Sequence, residues 1–199
     1  LEKSRIVCQA RDERNYHIFY CMLSGLTKDE RQKLELMEAV HYHYLTQGGS
    51  IVCEARNDAA DFSDIRSAMK VLMFTDVEVW DILKVLSALL QLGNVKFKAI
   101  VVDNLDSTEI MDSSYIVKAA KLLEVNARML TEALVSRTIF AQGDTVVAPL
   151  SAIQSLDVRD AFVKGIYGRM FIWIVAKINS AIYKPKSAAN YVRSSIGVL

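Results

Sequence analysis

The chain has 199 residues, 52% of them hydrophobic, and its 24 Lys+Arg against 23 Asp+Glu leave a net charge of +1. This composition excludes a disordered chain, and the near-neutral balance excludes a non-specific nucleic-acid binder, which needs a basic surplus. The densest apolar run of the C-terminal third, Met170 to Ala176 between Arg169 and Lys177, is far short of the ~20 residues that span a bilayer.

Two prolines and eight glycines are few punctuators, so long helices are expected. The opening "SRIVCQA" reads as a strand. Its charged start, "LEKSR", is no signal peptide. Tyr16, Phe19, Tyr20 and Leu23 recur at helical spacing, with Gly25 as the stop. Thr27 and Glu30 form a capping box for a short helix. Residues 41–60 read as a loop with an extended piece around Ile51 to Glu54. Ile65, Met69, Leu72 and Met73 make one helical stripe. A second capping box, Thr75 with Glu78, opens a helix with Val79, Ile82, Leu83, Leu86 and Leu90 aligned, ended by Gly93-Asn94. "VKFKAIVV" alternates as a strand or hairpin arm, and the acidic "DNLDSTEIMDSS" reads as an exposed loop. Two helices are expected at about 114–124 and 127–136. "SRTIFAQGDTVVAPLS" reads as a hairpin-like loop closed by Pro149, with Ser151 and Gln154 as the next cap. A helix of about 30 residues, ~45 Å long, follows. The closing "SSIGVL" reads as a strand, and both ends look like cuts through a sheet.

Chemistry-bearing residues are sparse. His41 and His43 form an HxH pair that a metal site can use from a strand, but no Cys, Asp or Glu supports them, so they read as structural or surface histidines. His17, among aromatics, reads as a hydrogen-bonded core residue. Cys8, Cys21 and Cys53 share no ligand spacing; the odd count fits a reducing compartment, with thiols packed as small apolar groups. The acidic pairs Asp157/Asp160 and Glu30/Glu35 read as solvated helix faces. No G-x-x-x-x-G-K-[ST], G-x-G-x-x-G or G-x-S-x-G motif is present, so no self-contained active site is visible. The loop Thr138–Pro149, carried between two helices, is the candidate contact element, against the plainer reading of a connecting hairpin.

The segments "LEKSRIV", "ERNYHIFYCML", "MKVLMFTDVEVWDILKVLSALLQLGNVKF", "DAFVKGIYGRMFIWIVAKIN" and "SIGVL" follow the order and spacing of the myosin motor domain, which the whole chain resembles. The wording "RDAFVKGIYGRMF" and "INSAIYKP" is most similar to class VII unconventional myosins, with class X the nearest competitor. The resemblance implies a span between switch I and switch II, most of the upper 50-kDa subdomain, covering residues 1–199 with no second domain. The implied fold is mainly α with a few short strands, a piece of the α/β P-loop NTPase motor whose terminal strands belong to the central sheet. The implied function is that of an actin-based, ATP-driven motor in the cytoplasmic actin cytoskeleton. ATP and Mg²⁺ are then cofactors of the intact motor, held outside this span, and the fragment alone does not turn over ATP. Calmodulin-like light chains and tail cargo are implied partners of the whole protein. A truncated actin-interaction module and a ligand-free helical scaffold are the alternatives.

By the same resemblance, Thr138, Ile139, Phe140, Ala141, Gln142, Gly143, Asp144, Thr145, Val146 and Val147 form a cardiomyopathy-type loop that docks on actin. Asp144 lies sixteen residues before Asp160 of "DAFVK", the family's acidic or phosphorylatable position. There a carboxylate supplies permanently the charge that phosphorylation would add. Lys96 and Lys98, in the position of loop 4, are weaker actin-contact candidates. Gln91 stands where many myosins carry His. The helix around "DAFVKGIYGRMFIWIVAKIN" is expected to be buried and to link the actin-facing loop to switch II.

Overall fold

Helix α5 (Asp76–Gly93) is the axis of the molecule. Its start is fixed by the expected capping box: Glu78 N donates to Thr75 Oγ1 (3.2 Å), and Thr75 N donates to the Glu78 carboxylate (2.8 Å). From Ser87 to Gly93 every residue is buried, which requires neighbours on all sides. Gly93 has no space for a side chain, since an added Cβ would lie 2.5 Å from the Tyr44 ring. The computed structural model describes residues 2–141 and 144–182, Ala141 by its backbone only. The closing "SSIGVL" therefore lies outside the described residues.

Around α5 the chain lays down α1 (His17–Gly25), α2 (Lys28–Lys33), α3 (His43–Thr46), α4 (Asp58–Val71), α6 (Ser114–Leu123) and α7 (Ala127–Val135). Helix α1 packs on α4, where Gly25 admits the Phe62 ring. Helix α6 lies along α5. Two antiparallel hairpins complete the set: β1 (Phe97–Val102) with β2 (Leu105–Ile110), and β3 (Ser136–Ala141) with β4 (Asp144–Pro149). Helix α8 (Ala152–Ile182, 31 residues) leaves β4 and crosses α5. Its start is capped as expected, Ser151 N donating to Gln154 Oε1 (3.0 Å) and Gln154 N to Ser151 Oγ (3.3 Å). Mainly helical, with two small sheets, the fold is of the expected class.

Several elements differ from the sequence reading. "SRIVCQA" is not a strand: Lys3–Ile6 is a 3₁₀ turn with Ile6 buried, because the Val7 and Cys8 amides fold back onto Ser4 O (3.2 and 3.0 Å). Ile51–Glu54 is irregular, and the region expected to be loop holds a 3₁₀ turn (Ala39–His41), α3 and the start of α4, capped by Asn57. The stripe through Met73 breaks after Val71, and Met73, at φ 62°, is 74% exposed. The acidic "DNLDSTEIMDSS" is no plain loop, since it carries β2. Asp103 and Asn104 take left-handed φ values of 52° and 61° between paired Val102 and Leu105, the pattern of a tight two-residue hairpin. Acidic residues at outward β2 positions hid its alternation.

Helix α8 also departs from the expectation of full burial. Ser155, Arg159, Val163 and Tyr167 form one buried stripe at four-residue spacing. Beyond Gly168 no described residue of α8 is buried, and Ile172 is 66%, Trp173 42% and Ile182 61% exposed.

Candidate functional site

The β3–β4 hairpin stands on the N-terminal end of α8. Its register pairs Thr138 with Val147, Ile139 with Val146, Phe140 with Thr145 and Ala141 with Asp144. Gln142 and Gly143 lie outside the described residues. β-Branched residues on both arms favour this pairing. No core covers it, however: Phe140 is 82% exposed, Val147 65% and Val146 52%, with Thr138, Asp144 and Thr145 also exposed. Exposed apolar side chains on the arms beside a carboxylate, raised on an anchored base, have the character of a contact surface.

The base of this hairpin is tied down. Leu150, just after β4, is buried; its amide donates to Val135 O at the end of α7 (2.9 Å), and its carbonyl accepts from Thr108 Oγ1 of β2 (2.7 Å). The second predicted element is thereby brought to the first, since β2 packs beside β4. Lys96 and Lys98 are exposed on or next to β1; Lys98 is paired in register with Glu109.

About two turns into α8, Arg159 is 3% exposed and holds three acceptors at once. Its Nη1 donates to Gly93 O (3.2 Å) and Val95 O (2.9 Å), carbonyls at and beyond the C-terminus of α5. Its Nε and Nη2 donate to Asp160 Oδ1 (2.9 and 2.7 Å), which also accepts from Tyr44 OH (2.6 Å). Burial holds the Tyr44 hydroxyl far above the ordinary phenol range, so it remains a donor. A cation at a helix C-terminus also complements the helix dipole. At the other end of α8, Lys177 Nζ donates to Glu78 Oε1 (2.7 Å) in the first turn of α5, and Trp173 meets Phe74 edge-on with centroids 5.9 Å apart. The two ties lie 18 residues apart on α8, about 27 Å along its axis. Lys177 and the Thr75 amide pull the Glu78 carboxyl below its usual range.

The remaining sequence candidates disperse. His41 and His43 are exposed; the His43 amide donates to Asn94 Oδ1 (2.8 Å) at the end of α5. Although exposed by area, the His43 imidazole titrates below its ordinary value, chiefly through partial desolvation and next through the nearby Arg159. His17 is exposed, not core; Asp58 and Asp61 at the start of α4 are among the charges near it. Cys21 is buried, Cys53 half-buried, and Cys8 exposed rather than packed. Of the acidic pairs, Asp157 is exposed as expected, but the other three residues are engaged. Asp160 is in the Arg159 cluster, Glu30 holds Arg66 (2.8 Å), and Glu35 holds Lys121 (2.7 Å). Gln91 is fully buried and donates to Glu35 O (2.6 Å), tying α5 to the segment after α2.

Sequence reasoning missed one grouping. Among the described residues, Cys21, Asp58 and Asp61 bring potential ligand atoms within 4.8 Å of one another. Arg14 on Asp58 (2.5 Å) and Arg56 on Asp61 (2.6 Å) already neutralise both carboxylates, so the trio is an ion-paired cluster and does not fit Mg²⁺. The sequence holds no glycine-rich phosphate cradle either. Among the described residues, no helix is long and apolar enough to cross a membrane.

Comparison with known proteins decides the family. The model of the myosin head (motor domain) matches residues 1–199. The chain belongs to the myosin motor-domain family. It is 60% identical to Myosin-VIIa of Drosophila melanogaster over 199 residues, 100% of this chain and 9% of that protein. It is 51% identical to Unconventional myosin-VIIb of Mus musculus over 200 residues, 100% of this chain and 10% of that protein. Unconventional myosin heavy chain 6 of Caenorhabditis elegans is 46% identical over 199 residues, again 100% of this chain and 9% of the relative. The chain thus spans about a tenth of the length of the curated relatives it matches, and the class VII likeness read from its wording agrees with them.

Proposed function

We propose that this chain is the actin-facing piece of an ATP-driven myosin motor, most of the subdomain between switch I and switch II. The β3–β4 hairpin makes the principal actin contact, through Phe140, Val146, Val147 and the Asp144 carboxylate. Lys96 and Lys98 add a weaker one. The observation that carries this reading is the pairing of exposed apolar residues on the hairpin arms, Phe140 at 82%, with a hairpin base anchored in the core. Helix α8, tied to both ends of α5, passes displacement of that base along its length as a strut. ATP and Mg²⁺ bind to other parts of the intact motor, and the residues of this chain take no step on the nucleotide. Calmodulin-like light chains and cargo belong to the whole protein, which works in the actin cytoskeleton.

The test is Asp144→Ala in the intact motor. Because Asp144 supplies charge without phosphorylation, the substitution lowers actin-activated ATPase. Unchanged activation overturns the reading. Isolated, the chain binds no ATP but still co-sediments with actin; tight ATP binding contradicts the assignment of the nucleotide site elsewhere.

A further inference from the structure

We infer that Thr108 is a positioning residue that ties the two hairpins into one composite actin-facing surface. The inference rests on the proposed role of β3–β4 and adds that β1–β2 fixes its direction.

Thr108 is the one buried residue of β2, which is otherwise exposed or half-buried. Its Oγ1 donates to Leu150 O at 2.7 Å and accepts a longer bond from Ser155 Oγ at 3.4 Å. Ser155 is fully buried in the first turn of α8. Three elements therefore meet through two hydroxyls: α8 donates a hydrogen bond to β2, and β2 donates one to the residue just after β4. Leu150 has both backbone groups engaged, the amide on α7 and the carbonyl on Thr108. Its side chain is 4% exposed, so water does not replace a lost partner there. For β3–β4 to swing about its base, the Thr108–Leu150 bond must break. β1–β2 is held in turn by α8, which packs on both its strands. The surfaces carrying Lys98 and Phe140 thus keep a fixed mutual orientation, and actin meets them pre-organised.

Thr108→Val keeps the shape and removes the hydroxyl. In the motor protein that carries this chain, the half-saturating actin concentration of the ATPase is expected to rise about fivefold, the factor one buried hydrogen bond supplies. The rate at saturating actin is expected to hold. Hydrogen exchange of the β3–β4 amides should accelerate, and Thr108→Ser should restore both readouts. If Thr108→Val does not fold, Ser155→Ala, which removes only the upstream donor, is expected to shift the actin dependence in the same direction by less. Phe140→Ala separates the two levels of the argument. Weaker actin binding in Phe140→Ala with an unchanged Thr108→Val overturns the inference alone. Unchanged actin binding in Phe140→Ala overturns the proposed function instead. A saturating rate that falls with affinity in Thr108→Val, without rescue by Ser, also overturns the positioning role.

Discussion

Arg159→Met tests the joint between α8 and α5. Methionine keeps an unbranched apolar stem of comparable reach and removes the guanidinium. Two carbonyls, Gly93 O and Val95 O, then lose buried donors that stand at 3.2 and 2.9 Å. Each orphaned acceptor costs about 1–2 kcal/mol. Asp160 loses its countercharge and keeps only the Tyr44 hydroxyl. Breaking one side of a buried pair costs about 3–5 kcal/mol in all, a figure that already contains most of the lost hydrogen bonding. Against a typical stability of about 5–15 kcal/mol, roughly a fifth or more is lost. With a urea slope of about 2 kcal/mol/M, the unfolding midpoint followed by circular dichroism falls by roughly 2 M. Arg128→Met is the control, because the Arg128–Glu132 pair is exposed (side chains 87% and 57%) and costs under about 0.5 kcal/mol. Adding Asp160→Asn to Arg159→Met is expected to recover about 1–2 kcal/mol by discharging the stranded carboxylate. If Arg159→Met shifts the midpoint no more than Arg128→Met, the joint does not hold the helices together as argued.

Three further expectations follow from the geometry. The His43 imidazole, followed by NMR, should titrate below the ordinary value of about 6.5 and move up in Arg159→Met, which removes the second cause of its depression. In sign, the folded state disfavours the protonated ring. Stability is complete above the unfolded value and is lost as pH falls from about 6.5 toward the lower folded one. Thiol labelling at pH 8 should modify Cys8 quickly and leave Cys21 protected, since burial and the nearby Asp58 and Asp61 push the Cys21 thiol up to about 11; equal rates would contradict the packing. Gly93→Ala should cost about 1–3 kcal/mol in urea unfolding, because its Cβ meets the Tyr44 ring at 2.5 Å and must displace it from Asp160.

Local signals in the sequence carried far. Both Thr-x-x-Glu boxes, the Ser151–Gln154 cap and the Gly93-Asn94 stop are short-range devices whose partners lie three residues apart, and all are present in the fold. The β3–β4 hairpin was legible because β-branched residues flank a short polar centre. β2 was not, because its outward acidic residues resemble those of a loop. "SRIVCQA" has strand composition, yet a strand needs a neighbour, and Ser4 O captured its amides instead. The anchors of the candidate site were the least legible. Thr108 and Arg159 find their partners 42 and 66 residues away, beyond any periodicity. One signal was available: the stripe Ser155, Arg159, Val163, Tyr167 places two polar residues on the face of α8 that the apolar ones bury. A polar residue in such a stripe demands a partner, which marks the position even when it does not name the partner.

The two ties between α8 and α5 differ in how they answer to the surrounding solution. Arg159 is sealed from solvent, so dissolved ions do not screen it. Lys177 and Glu78 keep 28% and 26% of their side-chain surfaces in water, so rising salt weakens their attraction. Rising salt therefore weakens the ionic part of the far tie, leaving the Trp173–Phe74 packing there and the sealed Arg159 joint beneath the hairpin in place.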